Sequence, residues 1–205
     1  MRLVVACLAL VLCLAGAALT ATATPADERR VVELMTRWAD ARASGDVKAA
    51  ESAAAEAQGL IAKLRPDLAG PPPAPQGTVI GYVLELAATH QPKSAPRLKI
   101  AFGRLQEQAT RSILFAVSRA LEEYRLNRGD FPPPGAKALA TALADPANPY
   151  LDLPRGMIDR EGRIVDGWGV PLHYARAADG GVVLYSWGPN GRDDNSRGDD
   201  IRSGR

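Results

Sequence analysis

A chain of 205 residues, 46% of them hydrophobic, can bury one ordinary core with an appendage, or two small cores. Aromatic residues make up only 5% and the apolar share leans on alanine, which argues for lightly packed helices rather than a dense β-core. The net charge of +2, with both signs interspersed and no Lys/Arg-rich run, leaves no electrostatic footprint for nucleic acid.

The first 23 residues, MRLVVACLALVLCLAGAALTATA, place one positive charge before an apolar run and end in Ala21-Thr22-Ala23, the A-x-A form of a signal-peptidase site. They read as a signal peptide cut after Ala23, which would put the mature protein in the periplasm or outside the cell. The competing reading is an uncleaved inner-membrane anchor through residues 3–23, since about 20 apolar residues span a bilayer. A lipid-modified start is disfavoured, because Cys13 follows the bulky Leu12 and Cys7 stands too early. Both cysteines lie in this segment, so the mature chain is expected to have no disulfide and to need another staple for any long loop.

Next, residues 24–69 are predicted to form a helical hairpin, its helices falling within 27–65. Val47, Ala50, Ala54, Ala57, Ile61 and Leu64 recur every three or four residues in the second helix and mark its inner face. The break at Ser44-Gly45-Asp46 supplies a helix-ending glycine and an N-cap aspartate. One such hairpin faintly resembles a tetratricopeptide unit, but no second copy follows at a fixed period. Pro66 is predicted to stop the second helix, and GPPPAPQG at 70–77 reads as a stiff, extended linker.

The remainder, 78–205, is expected to form one domain. TVIGYVLELAATH reads as a further helix, and a long one is predicted over about 97–128, with Leu98, Phe102, Leu105, Ala109, Ile113, Ala116, Ala120 and Tyr124 on one face. Gly129 and the prolines of FPPPG end it. AKALATALAD is a short helix. RIVDGWGVPLHYARA and VVLYSWG then read as strands joined by a turn at Asp179-Gly180-Gly181. The fold class that results is α+β: a long helix packed on a small antiparallel sheet, preceded by the hairpin.

Little of the chain carries chemistry. With two histidines, His90 and His173, and no cysteine after the leader, zinc ligation and Cys/His catalysis have no support. His173 has the place of a strand residue and His90 that of a helix-terminal cap. Glu122 and Glu123 are adjacent on a helix, point apart and read as a solvated face. Ser186 lacks the first glycine and the following helix of a nucleophile elbow. Trp168 and Trp187 read as turn packing, and no catalytic residue is predicted. What remains is LYSWGPNGRDDNSRGDDI, 184–201, in which four aspartates and two asparagines fall within eleven residues. An EF-hand template started at Asp193 fails, because Arg197 would fall at position 5 and Gly204 at position 12. The alternative is a solvated acidic tail with arginines as counter-charges.

Taken in order, ALEEYRLNRGDFP, PYLDLP, VDGWGVPLHY, LYSWGPNG and DDI resemble the C-terminal domain of the major pseudopilin of type II secretion systems, over about 110–201. Tyr124 with Gly129, Phe131 and Pro132 matches the helix exit of that family. Asp166 to Leu172 matches its Asp-Pro-Trp-Gly-x-Pro-Tyr turn, Leu184 to Gly191 its strand exit, and Asp199-Asp200-Ile201 its closing acids. The resemblance implies a non-enzymatic structural or adaptor protein of the bacterial envelope, beside a type II secretion or type IV pilus-like system. Its partners would be envelope proteins, pseudopilins among them, with no nucleic acid or small-molecule substrate and with a membrane only if the signal stays uncleaved. The alternative is a periplasmic protein-binding module that reuses the fold.

The resemblance also implies calcium, held by Asn190, Asp199 and Asp200 and by the backbone carbonyl of Trp187, with that of Leu184 or Ser186 as a further ligand. Asn190 stands where the family has aspartate, which lowers the charge count and points to an affinity on the order of 10⁻⁴ to 10⁻³ M, as in extracellular calcium modules. The apolar start ends in A-x-A where the family has a Gly-Phe-type junction followed by an apolar helix, so export by the signal route is expected instead of prepilin processing.

Overall fold

The computed structural model describes residues 24–69, 76–145, 149–152 and 155–203. The signal segment 1–23 and residues 70–75 of the proline-rich linker lie outside the described residues. Among the described residues, six α-helices and a three-stranded sheet make an α+β chain: α1 (Pro25–Ser44), α2 (Val47–Leu64), α3 (Pro66–Ala69), α4 (Gln76–His90), α5 (Ala95–Arg128), α6 (Ala136–Leu143), β1 (His173–Arg176), β2 (Val182–Ser186) and β3 (Ile201–Arg202). No helix among them is long and apolar enough to cross a membrane. The chain divides into two compact units, Met1–Gly103 and Arg104–Arg205.

In the first unit, α1 starts on a capping box: Thr24 Oγ1 accepts from Asp27 N, and the Asp27 carboxylate accepts from Thr24 N. It ends on a Schellman turn at Gly45, φ 78°, with Asp46 N donating to Ala41 O at 2.9 Å. Asp46 then caps α2 by accepting from Ala49 N at 3.0 Å. The core of the unit joins Val31, Val32, Leu34, Met35 and Trp38 to Ala50, Ala53, Ala57 and Ile61 and to Ile80, Val83, Leu86 and Ala87. Trp38 stacks on Phe102 with centroids 5.3 Å apart. Of the face predicted for α2, Ala50, Ala57 and Ile61 are buried. Ala54 and Leu64 are half-buried, and Val47, in the first turn, is 43% exposed. Pro66 ends α2 and opens the short α3, as suits a residue with a fixed φ and no N–H. His90 Nε2 lies 2.7 Å from Glu28 Oε2 and so joins the end of α4 to the start of α1.

The second unit is built on the C-terminal part of α5. Its buried side carries Ala109, Ile113, Leu114, Val117, Ala120 and Leu121, a stripe wider than the predicted one, which leaves Ala116 and Tyr124 half-buried. Leu139, Leu143, Ile164, Leu172, Tyr174, Leu184, Tyr185 and Ile201 complete this core. The sheet order is β1-β2-β3, all antiparallel, with Tyr174 opposite Leu184 and Ser186 opposite Ile201. The exit of α5 is fixed by Gly129, φ 83°, and by Phe131, whose ring lies 5.6 Å from the Arg125 guanidinium and 5.5 Å from that of Arg176. Tyr174 Oη donates to Pro132 O at 2.9 Å, tying β1 to this exit.

Candidate metal centre

The Ser186–Ile201 pairing is what brings the acidic stretch together. Because these residues face each other across β2 and β3, the ends of the loop 187–200 are neighbours, and the loop must fold back on itself. Its first turn is the short helix Gly188–Asn190, closed by Gly191 at φ 64°. Gly188, also at φ 64°, has the backbone of Asp199 packed against it: a Cβ there would stand 2.1 Å from Asp199 O. Asn190 N donates to Asp199 Oδ2 at 3.0 Å, so the closing acids lie directly on the first turn.

Asp194, Asp199 and Asp200 converge, each offering a carboxylate oxygen within 4.8 Å of the others. The Asn190 amide bridges two of them, with Nδ2 donating to Asp199 Oδ1 at 2.5 Å and to Asp194 Oδ2 at 3.1 Å. Its Oδ1 accepts from Arg192 N at 2.6 Å. Asp200 Oδ2 accepts from Ser196 N at 2.7 Å and Asp194 N at 3.2 Å. Asn195 and Ser196 take left-handed backbone, φ 56° and 60°, which folds the loop so that the Ser196 N–H meets this carboxylate. The other oxygen, Asp200 Oδ1, is buried and has no hydrogen-bond partner among the described residues.

A buried carboxylate oxygen without a partner, beside two more carboxylates, is costly unless a cation compensates it. An all-oxygen donor set of this kind suits a hard divalent cation and offers a soft metal nothing. The residues present therefore fit such an ion.

Of the residues the resemblance singles out, Asn190, Asp199 and Asp200 come together here. Trp187 stands at the exit of β2, and Leu184 is buried within that strand. Asp194 is not among the residues the resemblance singles out, yet it supplies the third carboxylate. Its neighbour Asp193 is turned away: Oδ1 accepts from Tyr185 Oη at 2.8 Å and from Asn195 N at 2.8 Å. The tyrosine hydroxyl holds the Asp193 carboxyl below its usual range. Burial, with Asp193 adding to it, pushes the Tyr185 hydroxyl up to about 12. Only the loop closure separates these adjacent aspartates, and no local sequence signal does.

Asp166, which carries no role on sequence beyond its place in the turn motif, is the buried anchor beneath the loop. Its Oδ1 accepts from Trp168 N and Val170 N, each at 2.9 Å, and Oδ2 accepts from Ser186 Oγ at 2.5 Å. Ser186 Oγ in turn accepts from Gly188 N at 3.0 Å, so a hydrogen-bonded chain links the 166–170 turn to the start of the acidic loop. Burial pushes the Asp166 carboxyl up, and its hydrogen bonds oppose that shift. This arrangement makes Ser186 a structural hydroxyl. His173 stacks on Tyr185, centroids 4.4 Å apart, and Glu122 pairs with Arg125 on the exposed side of α5.

The family model for type II secretion system (T2SS), protein G, matches residues 101–204. No curated protein and no solved structure matches the chain.

Proposed function

The chain belongs to the type II secretion system protein G family, the major pseudopilins, and from that premise we propose that it is a structural protein of a secretion system in the cell envelope, with its pseudopilin-like unit closed by calcium. The supporting observation is the convergence of Asp194, Asp199 and Asp200, of which Asp200 has one carboxylate oxygen buried and unpartnered among the described residues. Bound calcium would supply the positive charge that these carboxylates lack, and the oxygens of these residues would hold it. Asp199 and Asp200 come from the end of the loop, Asp194 from its middle, and Asn190 offers a neutral amide from its start. Asp194 thus makes up for the carboxylate that Asn190 lacks. The carbonyls of Trp187 and Leu184 are the backbone candidates. The ion's work would be mechanical: it would fasten the loop against β2 and offset the mutual repulsion of the three carboxylates.

The family match begins at residue 101, and the first unit, with its own apolar core, precedes it. That unit supports an adaptor role in which the helices engage another envelope protein while the second unit supplies the secretion-system identity. Export through residues 1–23 would deliver the chain to the periplasm.

Thermal melting of the purified protein in millimolar calcium and in chelator tests the metal. At an affinity on the order of 10⁻⁴ to 10⁻³ M, millimolar calcium stands at about one to ten times Kd and stabilises by about 0.4–1.4 kcal/mol, which raises the melting temperature by a few degrees or more in a domain of this size. The Asp199→Ala/Asp200→Ala double variant is expected to lose the difference. Identical wild-type melts with and without calcium sink the reading.

A further inference from the structure

Helix α5 carries large apolar side chains on its outer side as well as its inner one. Phe115 is 53% exposed and Leu126 is 75% exposed, while Leu114, Val117 and Leu121 fill the core from the opposite face. Phe115, Arg119, Glu122 and Leu126 follow one another at spacings of four, three and four, which sets them in a single seam along the helix. The seam is apolar at both ends and charged in the middle, positive at Arg119 and negative at Glu122. Arg119 has no ion pair among the described residues, and the exposed Glu122 is held only by Arg125, three residues along.

This order is self-complementary in one orientation. Phe115 and Leu126 are equally far from the midpoint between Ala120 and Leu121, and so are Arg119 and Glu122. When two such helices run antiparallel about that midpoint, Phe115 of each meets Leu126 of the other. At the same time Arg119 of each meets Glu122 of the other. Parallel alignment in register sets Arg119 on Arg119 and Glu122 on Glu122, so charge selects the antiparallel arrangement. Contacts made twice about a two-fold axis define an isologous interface. We propose that the outer seam of α5 is the contact between two copies of this chain, paired antiparallel through Phe115, Arg119, Glu122 and Leu126. The seam is about 16 Å long at 1.5 Å per residue, so the dimer is a weak one, responsive to concentration.

Sedimentation of the full chain from about 10 µM to about 1 mM, the range suited to short interfaces, is expected to show a monomer–dimer equilibrium. Arg119→Glu and Glu122→Arg each set like charges together twice, and each is expected to weaken the dimer on the order of tenfold. In the equimolar mixture of these two variants, the chain carrying Arg119→Glu is acidic at both seam positions and the chain carrying Glu122→Arg is basic at both. Opposite charges then meet at each contact, and dimerisation is expected to return as a heterodimer. That restoration separates a charge-selected contact from a folding defect and from association through the apolar N-terminal segment. A wild-type chain that stays monomeric throughout overturns the proposal and leaves the seam to a different protein. Equal association of the wild type, both variants and the mixture overturns it too.

Discussion

At the scale of single residues, Asp166 sets the second unit's order more than any acid in the exposed loop. It satisfies Trp168 N, Val170 N and the Ser186 hydroxyl, so Asp166→Ala strands three donors at once. A loss of about 2–4 kcal/mol in chemical denaturation is expected. The pH dependence has a definite sign. Burial raises the folded-state pKa above that of an ordinary, unfolded aspartate, so the folded chain holds this proton more tightly. The group's contribution is complete below the unfolded pKa and is lost as pH rises through the folded one. The stability of wild type relative to Asp166→Asn should therefore grow as pH falls from neutrality towards the unfolded value. A difference that shrinks on acidification contradicts this. Beside Asp166, Gly167 allows the turn to touch α5, since a Cβ there would stand 2.2 Å from Gln106 O, and Gly167 N donates to Thr110 Oγ1 at 2.9 Å. The GWG string shows a turn in the sequence, but not the helix backbone that demands the glycine. In the same way, the sequence displays four loop aspartates and cannot say which three converge.

Among the elements, the α1–α2 junction was the most legible, because capping is local chemistry. Gly45 must take positive φ and Asp46 must accept from Ala49 N, and both residue types are written where those tasks fall. Asp46→Ala is expected to cost about 1 kcal/mol, seen as a shift of the denaturation midpoint with unchanged slope. Asp46→Asn, which keeps an acceptor oxygen, is expected to cost much less; equal losses would show that the cap bond is not what matters. Helix α5 was legible from its period, yet the width of its buried stripe was not. Leu114 and Ala116 are both apolar and two residues apart, and only tertiary packing buries the first fully and the second by half. The two-residue β3 lay beyond sequence reading, being too short for alternation to register. It is nonetheless the strand that closes the acidic loop, through the pairing of Ile201 with Ser186.

For the whole molecule, the consequence of two compact units is two cores that can melt at different temperatures. Among the described residues, the first unit has helices and no strand, held by an alanine-lined face of α2 and by Trp38 on Phe102. The second gathers residues from α5, α6 and three strands, so its core rests on contacts distant in sequence. Calcium, if held by Asp194, Asp199 and Asp200, binds only the second unit, and a ligand stabilises only what it binds. Calorimetry of the full chain is therefore expected to show two transitions, of which one moves up with calcium concentration while the other stays in place. Asp194→Asn should reduce the calcium-driven shift and leave the other transition where it was, because that residue's carboxylate meets Asn190, Asp199 and Asp200 within the loop of the second unit. The stationary transition acts as an internal reference for salt and pH effects, which move both. Should both transitions climb together with calcium, the ion is binding elsewhere or the units unfold as one, and the Asp199→Ala/Asp200→Ala variant separates these cases: retained shifts place the ion elsewhere, and lost shifts mean the units are coupled.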